Sequence, residues 1–238
     1  MDTIIALLDQ NEIFTSQAIF HYWDGIVSTV QLVFLSLVIG LLLAVPLAIM
    51  RNSKNPFLNY PVWVFTYVFR GTPLLIQLYM IYYGVTLIEG IQETVWWVIF
   101  EKAFYPCLIA FTLNTAAYTT EIFRGVIEAT PKGEIEAAKA YGMSWSKRMV
   151  RIVLPSAFRR AIPAYSNEVI CMLHGSAIAS TVTILDITGA ARDVYAQHYT
   201  AFPPFMFAAL LYLALTMAIL FAFKTLEKRM LGHLQPRL

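Results

Sequence analysis

Residues 27–49 read VSTVQLVFLSLVIGLLLAVPLAI, and this stretch decides the fold class. It contains no Asp, Glu, Lys or Arg, and roughly 20 apolar residues in an α-helix are enough to cross a hydrocarbon core about 30 Å thick. A helix also satisfies its own backbone polar groups, as lipid requires. Working outward, residues 60–83, 103–123, 164–185 and 205–223 are further candidate spans. The last is as free of charge as the first, whereas the middle three enclose Arg70, Glu121 and Glu168. The whole chain of 238 residues agrees, with 58% hydrophobic residues, 13% charged residues and a mean hydropathy of +0.62. A soluble core helix is usually shorter, and an α/β core would alternate with polar surface helices. The expectation is an all-α membrane protein with five transmembrane helices.

Basic residues set the topology. No Lys or Arg precedes Arg51. Most of the 17 fall in three segments, at Arg51 and Lys54, from Arg124 to Arg160, and from Lys224 to Arg237. With five spans all three lie on one side, so the positive-inside rule places the N-terminus outside and the C-terminus in the cytoplasm. The net charge of +2 is thus a topology signal and points to no nucleic acid partner. Residues 1–22, with Asp2, Asp9 and Glu12 and no basic n-region, read as an extracytoplasmic segment on the membrane surface rather than a cleaved signal peptide. Residues 23–227 read as one transmembrane domain and 228–238 as a cytoplasmic tail, with Lys224–Arg229 suited to contact with membrane lipid.

Familiar catalytic chemistry is missing. His21, His174, His198 and His233 are scattered, and Cys107 and Cys171 fall inside candidate spans, which gives neither a zinc spacing nor a disulfide pattern. There is no G-x-S-x-G elbow and no G-x-x-x-x-G-K-[ST] loop to grip ATP phosphates. A transporter without that loop either borrows an ATPase or runs on an ion gradient.

The most polar part of the chain is the loop 124–160 between the third and fourth spans. It predicts a short hairpin. Glu134-Ile135-Glu136-Ala137-Ala138-Lys139-Ala140 is a run of good helix formers after Pro131-Lys132-Gly133, and Gly142 can take the left-handed conformation that ends a helix. A second helix is expected from an N-cap at Ser144 to about Val153, with Pro155 ending or kinking it.

In this loop Glu136-Ala137-Ala138, Gly142, Ile152 and Leu154-Pro155 keep the spacing E-A-A-x3-G-x9-I-x-L-P. That pattern resembles the coupling loop of permeases of binding-protein-dependent ABC importers. Three other stretches resemble the polar amino acid branch of those importers, in particular the histidine, arginine and ornithine permeases: Phe69–Gln77 with Arg70-Gly71-Thr72-Pro73, Leu113–Glu121 with Asn114 and Tyr118, and Tyr165–Val169 with Asn167 and Glu168. The resemblance implies a type I importer permease core in the inner membrane. It also implies an ATP-binding subunit dimer docked on the coupling helix, a second permease (a sister chain rather than an identical copy), and an extracytoplasmic substrate-binding protein. ATP and Mg would then be bound by the partner ATPase, and this chain would hold no cofactor. The expected cargo is a polar, basic amino acid such as histidine, arginine, lysine or ornithine.

Charges inside a span cost about 2.5–3.5 kcal/mol on insertion scales, so Arg70 and Glu168 need partners or a polar cavity. The substrate-site expectation joins Arg70, Thr72, Asn114, Tyr118, Asn167 and Glu168. In it the helix restarting after Gly71-Thr72-Pro73 aims its amides at an α-carboxylate, and Glu168 accepts a cationic group. The alternative roles are structural: Arg70 paired with a carboxylate or reaching water, and Glu168 hydrogen-bonded within the fold. The competing function is a secondary transporter with Glu121 and Glu168 as ion sites.

Overall fold

The computed structural model describes residues 13–231. Among them the chain is helical without strands: α1 (Ser16–Arg51), α2 (Pro56–Gly71), α3 (Leu74–Thr86), α4 (Trp97–Phe100), α5 (Phe104–Glu128), α6 (Lys132–Ala140), α7 (Trp145–Arg148), α8 (Leu154–Gly175), α9 (Ile187–His198) and α10 (Phe202–Leu231). The 3₁₀ turns Ile91–Glu93 and Ser176–Val182 and a π segment Met149–Val153 complete the order.

Helix α1 contains residues 27–49 but is already under way at Ser16, ahead of the expected start of the transmembrane domain, while residues 1–12 lie outside the described range. Helix α2 starts where Asn55 caps it, its side chain accepting from the Phe57 amide at 3.0 Å, with Pro56 in the first turn. It stops where Pro73 forces the preceding residue out of the helical region: Thr72 is extended at φ −115°, ψ 144°. The interruption expected at Gly71-Thr72-Pro73 is therefore present. Cys107 is buried, whereas Cys171 is exposed. It lies on the outward face of α8.

The chain packs as two units, each with a core. The first comprises residues up to Ser36, Pro73–Thr112 and Ile170–Met217. Its core is Tyr22, Ile187, Ala190, Ala191, Val194 and Ala208, and the Tyr22 hydroxyl donates to the Pro204 carbonyl at 2.9 Å. Gly25 lets α1 approach the start of α9: a Cβ there would sit 2.8 Å from the Asp186 carbonyl oxygen. Asp186 in turn caps α9, accepting from the Gly189 amide at 2.6 Å.

The second unit comprises Leu37–Thr72, Leu113–Val169 and residues from Ala218 onward. Its core is Ala48, Phe123, Ile127, Val153, Ala157 and Ala161. Gly40, Ala44 and Ala48, four residues apart on one face of α1, are all buried, so small side chains serve here to let helices approach closely.

Among the described residues α1 and α10 are each long and apolar enough to cross a membrane, and the number rises to as many as four if each of two bent helix pairs, one of them α2 with α3, is one span. The third expected span, helix α5, is long enough at 25 residues but more polar. Thr112, Asn114, Thr115, Thr119 and Thr120 are all buried along it. A helix wrapped by protein has no need of an apolar surface, whereas α10 is apolar and almost wholly exposed, with Leu210, Leu213 and Phe221 facing outward.

Candidate functional site

The candidate coupling and substrate-site residues all lie in the second unit, in two places. The first is the hairpin. Helix α6 begins directly after Pro131, whose carbonyl accepts from the Glu134 amide at 3.1 Å. Its end is a Schellman turn: the Met143 amide donates to the Ala138 carbonyl at 3.0 Å and the Gly142 amide to the Lys139 carbonyl at 2.9 Å. Gly142 sits at φ +70° with open space where a Cβ would be, so the backbone conformation, and not crowding, calls for glycine.

Helix α6 turns Ala138 inward, at 3% exposure, and leaves Glu136 and Ala137 outside. Only Ala137 of the alanine pair is therefore presented outward. Tyr141 (89% exposed) and Trp145 add an apolar surface that the motif does not name. Leu154 packs against the core of the unit, Ile152 is half-buried, and Pro155 is exposed.

The second half of the hairpin differs from expectation at two points. Ser144 precedes α7, but its side chain makes no capping hydrogen bond. Of the end or kink expected at Pro155, the helix does not end there: α7, the π segment and α8 follow without a break. Pro155 has no N–H to offer the Arg151 carbonyl, and the turn before it widens, with the Leu154 amide reaching the Met149 carbonyl. Arg160 then ties the start of α8 to the end of α5, donating to the Ala129 carbonyl at 2.8 Å and the Thr130 hydroxyl at 2.9 Å.

The second place gathers around the carbonyl end of α2. A helix C-terminus leaves its last carbonyls without partners. Two side chains of α5 supply them: Asn114 Nδ2 donates to the Phe69 carbonyl and the Tyr118 hydroxyl to that of Arg70, each at 3.3 Å. The Arg70 guanidinium lies over the Tyr118 ring, 5.2 Å from its centroid, so that aromatic face is already occupied. The Thr72 hydroxyl turns back to the Val68 carbonyl at 2.9 Å.

Helix α8 contributes Glu168, 7% exposed, while Asn167 beside it faces outward. No ion pair among the described residues joins Arg70 to Glu168, and the Thr115 hydroxyl is buried without a hydrogen-bond partner. Arg70, Thr72, Asn114 and Tyr118 thus gather at the end of α2, and Glu168 is buried on α8 with no ion pair to them among the described residues. His174 bonds Thr216 at 3.0 Å and takes no part in it.

A third arrangement was not legible as a unit. Glu121 accepts from Arg51 at 3.1 Å, from Arg124 at 2.6 Å and from the Thr66 hydroxyl at 3.0 Å, and Arg124 also reaches Glu128 at 2.7 Å. The spacings Glu121-Arg124 and Arg124-Glu128 are the ordinary signal of helix ion pairs. Nothing local announces Arg51. This network makes Glu121 a tie between α1, α2 and α5.

Helices with long apolar stretches, combined with an exposed and turn-closed hairpin, fit a membrane permease. Residues 19–232 match the family of binding-protein-dependent transport system inner membrane components, and the chain belongs to that family. It is 48% identical over 217 residues to the histidine/lysine/arginine/ornithine transport system permease protein HisM of Escherichia coli (strain K12), covering 91% of each chain. It is 41% identical over 193 residues to the nopaline transport system permease protein NocM of Agrobacterium fabrum (strain C58 / ATCC 33970), covering 81% of this chain and 80% of the relative. Among solved structures it superposes on a chain of an amino acid ABC transporter crystallised with histidines, with TM-score 0.77 and 31% identity, over 88% of this chain and 94% of that one. The chain is accordingly an inner-membrane permease subunit of the ABC importer type.

Proposed function

We propose that this permease carries a basic amino acid into the cytoplasm on energy delivered by a separate ATPase dimer that docks on the α6–α7 hairpin. The observation that carries the reading is the exposed face Glu136, Ala137 and Tyr141, held out by a glycine-closed turn. Glu136 pairs with a basic residue of the ATPase, and Ala137 allows close approach. The names of the relatives support basic and arginine-derived cargo. ATP and Mg belong to the ATPase, and this chain, lacking a phosphate-binding loop, hydrolyses nothing.

In this reading the chain has five spans, with α5 the protein-wrapped one, the N-terminus outside and the C-terminus in the cytoplasm. Residues 1–22 lie outside, 23–227 form the transmembrane domain, and 228–238 are a cytoplasmic tail. A sister permease completes the pore, and a substrate-binding protein approaches from the side of residues 89–101 and 186–204. Arg70, Thr72, Asn114, Tyr118, Asn167 and Glu168 line the substrate path, where Glu168 faces the cationic group. The carbonyl end of α2 favours that assignment, because a helix C-terminus attracts cations.

Co-purification tests the docking. Wild-type chain brings down a nucleotide-binding subunit, and Glu136→Lys, which reverses the charge on the docking face, loses it while the chain stays folded. A wild-type chain that transports under an ion gradient with no nucleotide-binding partner overturns the proposal.

A further inference from the structure

A cavity of about 370 Å³ lies between the start of α6 and the first turns of α8, lined by Pro131, Glu134, Arg151, Ile152, Ser156, Arg159 and Arg160. Three guanidinium groups and one carboxylate line it. None of the three arginines belongs to an ion pair among the described residues. Arg159 and Arg160 are held by neutral oxygens: Arg159 by the Pro155 carbonyl at 3.2 Å, and Arg160 by the Ala129 carbonyl and Thr130 hydroxyl. Those bonds fix the guanidinium positions without neutralising them. The exposed Arg151 adds a third charge on the same wall.

The depth of the cavity narrows its ligand. Arg159 and Arg160 precede the apolar part of α8, which begins near Ala164, by about one helical turn, or roughly 6–8 Å of rise. That is the distance at which phospholipid phosphates sit beyond the hydrocarbon edge, in the headgroup layer. Guanidinium groups in a fixed fork match phosphate oxygens better than an ammonium does. The pocket also lies off the proposed docking face. On α6, Glu134 is one turn from the inward Ala138, whereas Glu136 points to the opposite side of the helix.

We propose that Arg151, Arg159 and Arg160 form a binding site for a phosphate-bearing anion, the headgroup of an anionic phospholipid of the cytoplasmic leaflet or a free phosphate. The lipid source rests on the orientation given above, while phosphate binding as such does not. A headgroup held here bridges α6 to α8 and steadies the hairpin against the membrane.

The assembled transporter in nanodiscs tests it. One arm compares phosphatidylcholine alone with phosphatidylcholine plus phosphatidylglycerol, reading the lipid retained by native mass spectrometry. The other adds inorganic phosphate against chloride at matched ionic strength and reads thermal stability. Wild-type protein retains phosphatidylglycerol or gains stability with phosphate, and the arm that responds names the source. Arg151→Gln with Arg159→Gln weakens that response about tenfold, as expected for lost charged hydrogen bonds. Lys54→Gln with Lys147→Gln, the same charge change at two exposed lysines outside the cavity, leaves it intact. A response absent in both arms, or reduced equally by both double variants, overturns the site. Neither readout involves transport, so failure here leaves the importer reading standing.

Discussion

The hairpin and the cluster around Arg70 are both polar, but they are built in opposite ways. The hairpin is local: within residues 132–155 one glycine at positive φ and a proline-widened turn set its shape, and Glu136, Ala137 and Tyr141 face outward. The cluster is assembled from α2 and α5, far apart in sequence, and its side chains are largely spent on the backbone at the end of α2. A surface meant to be gripped by a partner needs a stiff local frame. A helix end buried among other helices needs partners for its last carbonyls, and the side chains of α5 supply them.

This contrast predicts that variants in the two places fail differently. The largest effect is expected at Glu168. Glu168→Gln removes a buried charge without changing shape, and losing a charged hydrogen bond of about 1.5–3 kcal/mol raises the half-saturating substrate concentration roughly 10–100-fold. Uptake titrations on intact complex measure this, and an unchanged titration removes Glu168 from the substrate path. Next comes Gly142. A β-branched residue at φ +70° is strained by about 1–2 kcal/mol, so Gly142→Val lowers maximal ATP-driven uptake several-fold at unchanged half-saturation. Gly142→Asn, better tolerated in that conformation, recovers most of the loss. If the two substitutions behave alike, the Schellman turn is not what the loop requires.

Smaller changes sharpen the same comparison. Tyr118→Phe deletes the bond to the Arg70 carbonyl but keeps the ring beneath the guanidinium, which costs about 0.5–1.5 kcal/mol in thermal stability of the complex. Ser144→Ala stays within about 0.5 kcal/mol, because that side chain caps nothing. A cost near 1 kcal/mol or more, usual for a lost N-cap, would show that Ser144 caps α7 in solution.

The same distinction explains what the sequence revealed. The hairpin was legible because its determinants are neighbours: helix formers, Gly142, and a fixed spacing to Leu154-Pro155. Its second half shows the limit of local rules, since they left Pro155 to end or kink the helix, and the helix continues through a π turn that absorbs the missing donor. Charge-free spans such as residues 27–49 were equally plain, whereas α5 read only as an apolar stretch and proved to be a buried, threonine-rich helix. The cluster residues were picked one by one as polar groups at membrane depth. That Asn114 and Tyr118 serve the end of α2, or that Arg51 closes on Glu121, depends on tertiary contacts that no sequence period encodes.

The most direct measurement is ATP hydrolysis by the assembled, reconstituted transporter when its binding protein is added empty or loaded with histidine, arginine, lysine or ornithine. A loaded binding protein is expected to stimulate hydrolysis, the stimulation to disappear in Glu136→Lys, and its dependence on amino acid to shift in Glu168→Gln. Hydrolysis indifferent to all four amino acids, together with uptake that persists without the ATPase under an ion gradient, would contradict the account.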